Sequence, residues 1–292
     1  MASSRSPWRY LVRALMVLGV LCAVIWTGAV GFLWWNEPEI VFRTGRLLNR
    51  LRPLDPSFKP TTIIGADGLR LDAVTLEGSQ PSGSAYWILF SNGSAGSIYL
   101  DRVQDQLEQL HELGYNVLAF DYRGFGRSPG APTEAGLYAD AMASYEYLTE
   151  TRRIDPARVI LAGRSLGSAV AVELGIRVPS AGLLLLSPID SIPLMGERIY
   201  PWVPVRYLAA NRFDSVGKAD RVRAPAIVVH ALDDRFVPID AARAVFARLS
   251  GPKLMVETRG GHNGAGFSPV SELRDALATF WPLQGSPEDA DP

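Results

Sequence analysis

From Tyr86 onward, short, largely apolar runs alternate with longer amphipathic stretches. Tyr86–Phe90, Asn116–Phe120, Val159–Ala162, Gly182–Leu186, Ala226–Val229 and Lys253–Glu257 read as strands, and Ile98–Leu113, Thr133–Thr151, Leu166–Val178, Asp240–Leu249 and Pro269–Trp281 as helices. A strand apolar on both faces must be covered on both faces. Strands of that kind separated by helices specify an α/β fold, with a mostly parallel sheet between two helical layers. Upstream, Thr61–Ile64 and Leu69–Leu76 flank Gly65-Ala66-Asp67-Gly68, a β-hairpin with an Asp-Gly turn signal. Residues 188–224 break the rhythm with prolines and the aromatic residues Tyr200, Trp202, Tyr207 and Phe213. An insertion there, beside the strand ends, is expected to form a short lid.

The N-terminus obeys a different rule. Ala14 to Trp35 is a run of 22 uncharged, mostly apolar residues, and about 20 residues of helix cross a bilayer core. Arg5, Arg9 and Arg13 precede it, and Trp26, Trp34 and Trp35 lie where an interfacial aromatic belt would sit. A cleaved signal peptide is the competing reading, with Thr27-Gly28-Ala29 a poor match to a small-x-small cleavage site. The expected layout is an N-terminal segment 1–13, a transmembrane anchor 14–35, a proline-bearing tether 36–60, a catalytic-size domain 61–283 and a disordered acidic tail 284–292. The N-terminus is expected inside and the body outside the cytoplasm.

Composition removes several function classes. Twenty-nine Lys and Arg balance 30 Asp and Glu for a net charge of −1, so no basic excess is present to neutralise nucleic-acid phosphates. The single cysteine, Cys22, excludes intramolecular disulfides and cysteine-rich zinc sites. Three histidines, His111, His230 and His262, leave few choices for any step that needs one.

Gly163-Arg164-Ser165-Leu166-Gly167 follows the strand Val159–Ala162 and opens the helix Leu166–Val178. This strand–turn–helix context is what a G-x-S-x-G nucleophile elbow requires, because side chains at the glycine positions would collide with the flanking elements. Ser165 then stands at a helix N-terminus, where free N–H groups favour a developing oxyanion. A serine needs a base. His111 falls in an early amphipathic helix and His230 ends a strand, so His262, in a glycine-rich loop after the last strand, remains. Asp233 and Asp234 both follow the penultimate strand, and either would orient His262. The backbone N–H groups of Leu166 and of Ser94, in the loop Ser91–Ser97, are the expected oxyanion donors.

With these segments the chain resembles the single-domain serine hydrolases of the α/β-hydrolase superfamily, over roughly residues 61–283. The resemblance rests on Asp121-Tyr122-Arg123-Gly124-Phe125-Gly126-Arg127-Ser128, the elbow, Arg212-Phe213-Asp214-Ser215, and the Asp234 and His262 segments. The family pattern His-Gly-x-x-Asp-x-x-Val-Pro matches His230 to Pro238 except that Ala231 replaces Gly, and it selects Asp234 over Asp233. Asn92-Gly93-Ser94-Ala95 stands where relatives commonly carry His-Gly-Asn-Ala. The resemblance implies hydrolysis of an ester, thioester or related acyl bond through Ser165, His262 and Asp234, with no metal or organic cofactor. The implied partners are a small-molecule or lipid ester and the membrane that holds the N-terminal helix. A peptidase-like amide hydrolase and a non-catalytic binding protein on the same fold are the alternatives.

Overall fold

A computed structural model describes residues 7–44, 50–78, 86–267 and 270–283 of the chain; the expected tail 284–292 lies outside them. Two helices come first, α1 (Pro7–Trp35) and α2 (Glu37–Phe42). The body then runs β1 (Lys59–Ile64), β2 (Arg70–Leu76), β3 (Trp87–Ser91), α3 (Asp101–Glu112), β4 (Asn116–Phe120), α4 (Glu134–Glu146), β5 (Val159–Arg164) and α5 (Leu166–Gly175). It continues with β6 (Gly182–Leu186), α6 (Ile192–Ile199), α7 (Val205–Leu208), α8 (Ser215–Ala219), β7 (Ala226–Ala231), α9 (Ile239–Arg248), β8 (Lys253–Thr258), α10 (Gly261–Gly264) and α11 (Val270–Phe280).

The eight strands form one sheet in the order β1-β2-β4-β3-β5-β6-β7-β8. β1 pairs antiparallel with β2, and β2 antiparallel with β4. Every other pairing is parallel. The all-apolar central runs explain the arrangement, since every residue of β3, β4, β5, β6 and β7 is buried. β8 at the edge is only half covered. Because β3, β5, β7 and β8 run the same way, their C-terminal ends share one rim. The chain order reverses around β3, between β4 and β5, which makes that rim a topological switch point where open α/β sheets bind ligands.

Two departures from the sequence expectation have local causes. The helix expected to run from Thr133 to Thr151 is α-helical only to Glu146 and ends in one wider π turn, Tyr147–Thr151. The stretch expected to be a tether contains α2, with Pro38 in its first turn, where a missing N–H costs nothing. Phe42 closes α2 and is fully buried, edge-on to Phe125 and Phe213 at 6.4 and 6.1 Å. Burial of such a ring is worth about 3–5 kcal/mol against alanine, so α2 is clamped to the body. Its Glu37 accepts hydrogen bonds from the backbone N–H of Asn211 (2.9 Å) and Ala210 (3.2 Å), tying it also to residues 188–224. That interval carries α6, α7 and α8.

α1 is a different object. Trp8–Trp35 is a single apolar helix, long enough to cross a bilayer and unburied by the rest of the chain. One polar contact is made near its far end, where Trp26 Nε1–H donates to the Trp202 carbonyl at 3.1 Å.

Candidate active site

Ser165 occupies the turn between β5 and α5 with φ 52° and ψ −117°, a backbone conformation that L-residues rarely adopt. The flanking glycines make this geometry possible. A Cβ at Gly163 would lie 2.0 Å from the Gly167 carbonyl oxygen, and one at Gly167 would lie 2.0 Å from that of Ser91. The Ser165 N–H is fixed by the Leu186 carbonyl at 2.9 Å, and Ser168 Oγ–H donates to the Ser165 carbonyl at 2.5 Å. α5 behind it is mostly apolar and buried from Leu166 to Leu174, so the serine stands on a packed base.

The loop after β3 forms the facing wall. Gly93 packs so closely on the elbow that a Cβ there would meet the Arg164 carbonyl oxygen at 3.1 Å and Ser165 Cβ at 3.2 Å. Ser94 and Leu166 both line the hollow beside Ser165. The segment beginning at Asp121 anchors this loop from below. Asp121 accepts hydrogen bonds from Ser97 Oγ (2.7 Å) and the Ile98 N–H (2.9 Å), and Tyr122 O–H donates to the Asn92 carbonyl at 3.3 Å. Burial pushes the Asp121 carboxyl up to about 7 despite those two donors. Arg123 is tied instead to Asp140 and Asp67, away from the rim.

The two aspartates after β7 face different ways. The Asp234 side chain is fully buried, and its Oδ2 lies 2.7 Å from His262 Nδ1. Its Oδ1 accepts from the N–H groups of Phe236 (2.8 Å) and Val237 (2.9 Å). Burial alone would raise this carboxyl, but the His262 and backbone hydrogen bonds outweigh it and hold Asp234 below the usual carboxylate range. Asp233 accepts from the N–H groups of Gly261 (3.0 Å) and Gly260 (3.4 Å), so it braces the loop that carries His262. The sequence reading did not assign it that role.

A second brace comes from Arg164, the residue preceding the serine. Its guanidinium donates to the Asn263 side-chain oxygen (2.6 Å), to the Asn263 carbonyl (3.2 Å) and to Gln106. Gln106 Nε2–H in turn donates to the Asn263 carbonyl at 2.8 Å. Only the coincidence of a large cation inside the elbow hints at this in the sequence, because its partner lies 99 residues further on.

Ser165 and His262 line one cleft of about 290 Å³. No hydrogen bond joins the serine hydroxyl to the imidazole; the ring of Phe236 stands edge-on to His262 at 5.0 Å. Neither of the other two histidines lines this cleft, although His230 Nε2 lies 3.5 Å from Asp234 Oδ2. His230 is fully buried, lies 3.0 Å from the Val237 carbonyl oxygen through Nε2, and is pushed down by burial, which keeps it neutral. His111 Nδ1 lies 3.0 Å from the Tyr115 carbonyl oxygen on the far side of α3.

Known proteins share this frame. The serine aminopeptidase (S33) family of hydrolases matches residues 88–216, which include Ser165 and stop short of Asp234 and His262. An uncharacterized protein of Mycobacterium tuberculosis is 34% identical over 270 residues, 92% of this chain and 95% of its own. The human α/β-hydrolase domain-containing protein 17B is 30% identical over 185 residues, 61% of this chain and 60% of that protein. By sequence the chain is a relative of the M. tuberculosis protein over nearly its whole length, and its fold is that of the α/β-hydrolases. Among solved α/β-hydrolases, the Pyrococcus furiosus esterase Pf2001 superposes with a TM-score of 0.64 at 19% identity, over 78% of this chain and 94% of that one. Est1E from Butyrivibrio proteoclasticus, solved with ferulic acid bound, gives 0.63 at 20% identity, over 75% and 98%. At such identities the two share the fold with this chain.

Proposed function

We propose that this α/β-hydrolase is a membrane-anchored serine hydrolase that cleaves carboxylic ester or thioester bonds, with acyl lipids among its substrates. The observation that carries the reading is the 2.7 Å His262–Asp234 pair opening into the same cleft as a serine on a strained elbow. Ser165 Oγ attacks the acyl carbon and its proton passes to His262 Nε2. The carbonyl oxygen becomes an oxyanion held by the N–H groups of Leu166 and Ser94. As the bond to the leaving oxygen or sulfur breaks, that atom takes the proton from Nε2. Water then adds to the acyl-enzyme with the same base and releases the carboxylic acid. Asp234 stays ionised throughout and stabilises the imidazolium. Substrate entry draws His262 onto Ser165, since catalytic hydrogen bonds tighten in the complex.

In this reading α1 is the anchor, with its N-terminus inside and the body outside the cytoplasm. Residues 36–60 link it to a hydrolase domain of residues 61–283, and 188–224 form a short lid. Amide hydrolysis at a free N-terminus is disfavoured by the cleft itself, which among the described residues has no carboxylate in its lining to grip an amine. Glu197, within residues 188–224, is paired with Arg206.

The test is turnover of a graded ester panel, acetyl to palmitoyl, by the full chain in detergent. Wild type hydrolyses the panel with an optimum at the longer chains, and Ser165→Ala loses about 10⁴-fold or more in kcat. An optimum at acetyl removes the lipid substrate; equal rates in the variant remove the serine mechanism.

A further inference from the structure

Ser165 sits on a boundary between two hollows of opposite character. On one side, the cleft it shares with His262 is lined by three arginines, Arg43, Arg102 and Arg164, together with Asn92 and Asn263, and, among the described residues, by no acidic one. The three cations arrive from separate places: the end of α2, the first turn of α3 and the elbow. The buried carboxylate nearest to them, Asp234, is committed to His262 and two backbone N–H groups. Arg43 is set by a left-handed backbone (φ 55°) that turns it out of α2, with its guanidinium over the Phe236 ring at 4.8 Å. Arg102 is pushed down by burial and by Arg50, and Arg164 is pushed down to about 10 by burial and by Arg102. Arg102 and Arg164 are thus partly desolvated and repel one another.

On the other side, an apolar groove leaves Ser165 between α2 and α6, walled by Ile40, Val41, Ile189, Ile192 and Met195. It continues past Gly196 and Tyr200 into a second apolar hollow that reaches Val30, Leu33 and Trp34 of α1. A hydrocarbon chain laid there gains about 0.8 kcal/mol per buried CH₂. The groove ends at the helix that would meet the bilayer.

We propose that the substrate is an anionic amphiphile, an acyl ester or thioester whose chain lies in the α2–α6 groove and whose phosphate or carboxylate is held by Arg43, Arg102 and Arg164. Guanidinium groups suit that partner because their forked donors bind either oxyanion with charge-assisted hydrogen bonds. The inference rests on Ser165 acting as the nucleophile, as argued above.

The experiment compares three octanoyl esters, with the full chain in neutral detergent: 1-octanoylglycerol 3-phosphate, octanoyl glycolate and uncharged 1-octanoylglycerol. At low salt, kcat/KM is expected to be at least about tenfold higher for one or both anionic esters, and the advantage shrinks as salt rises to about 0.5 M. The ester with the larger advantage identifies phosphate or carboxylate as the anion. Arg102→Gln cuts the anionic rate about tenfold and the uncharged rate far less, while Arg248→Gln, at a surface pair with Asp220, changes neither. Wild type that reacts with a fluorophosphonate at Ser165 yet hydrolyses the uncharged ester as fast as the anionic ones overturns the anion assignment and leaves the hydrolase intact. Equal losses on all three esters in Arg102→Gln also overturn it, showing that Arg102 only holds the Ala95 carbonyl it contacts. Absence of both fluorophosphonate reaction and turnover brings down the hydrolase reading and this inference with it.

Discussion

The serine side and the histidine side of the cleft are held in place by different physics. Around Ser165 the constraint is steric: backbone packs on backbone so tightly that a methyl group at Gly163 or Gly167 would overlap a carbonyl oxygen at 2.0 Å. Around His262 the constraint is polar, since Asp233, Asp234, Arg164 and Gln106 hold the loop by hydrogen bonds to backbone and side chain. A steric corner has one solution and stays rigid. In the proposed mechanism the polar harness lets the imidazole move toward the serine when substrate arrives.

The contrast can be broken from either side. The largest effect on the polar side is expected for Asp234→Asn, which leaves the fold intact and lowers kcat by about 10⁴, because the imidazolium loses its counter-charge and its tautomer. Asp233→Asn, which removes only loop bracing, should cost about 10- to 100-fold. Steady-state kinetics on both variants checks this, and a greater loss at Asp233 would reverse their roles. On the steric side, Gly167→Ala should lower the melting temperature by about 10 °C, as an overpacked core loses about 3 kcal/mol. A thermal scan reads it directly. Asn263→Ala frees Arg164 and loosens one strap, with about a tenfold fall in kcat, little change in KM and an unchanged melting temperature.

The smallest effect concerns the loop after β3, held through Asp121. Its carboxyl titrates near 7 in the folded chain, well above its ordinary value, because burial favours the neutral form. Between those two values the native state holds a proton that the unfolded chain has released. Stability from this group is therefore full at acidic pH and falls as pH rises toward 7 and beyond. Melting temperatures from pH 5 to about 8 should decline for wild type more steeply than for Asp121→Asn; parallel slopes would show that Asp121 does not titrate in this window.

The same contrast explains what could be read in the sequence. The alternation of apolar strands and amphipathic helices fixed the sheet because it is repeated, and the elbow was visible because steric demands of a turn are met by glycines within five residues. His262 stood out because only three histidines exist. The polar harness was not legible, because Arg164 finds Asn263, and Gln106 finds the same residue, across long chain separations that no local pattern encodes. Asp233 and Asp234 are adjacent and chemically identical, so the residues alone left them open and only the resemblance chose between them. α2 was hidden for another reason. Its proline reads as a breaker unless it is known to sit in a first turn, and the burial of Phe42 depends on Phe125 and Phe213 from distant segments.

The central claim, that the elbow serine is a nucleophile switched on by the harnessed histidine, can be measured at one atom. Treatment of the full chain with a fluorophosphonate, followed by peptide mass spectrometry, should place a single covalent phosphonyl group on Ser165, and His262→Ala should abolish it while the protein stays folded. Modification of a different residue, or undiminished labelling of Ser165 in the His262 variant, would contradict the account.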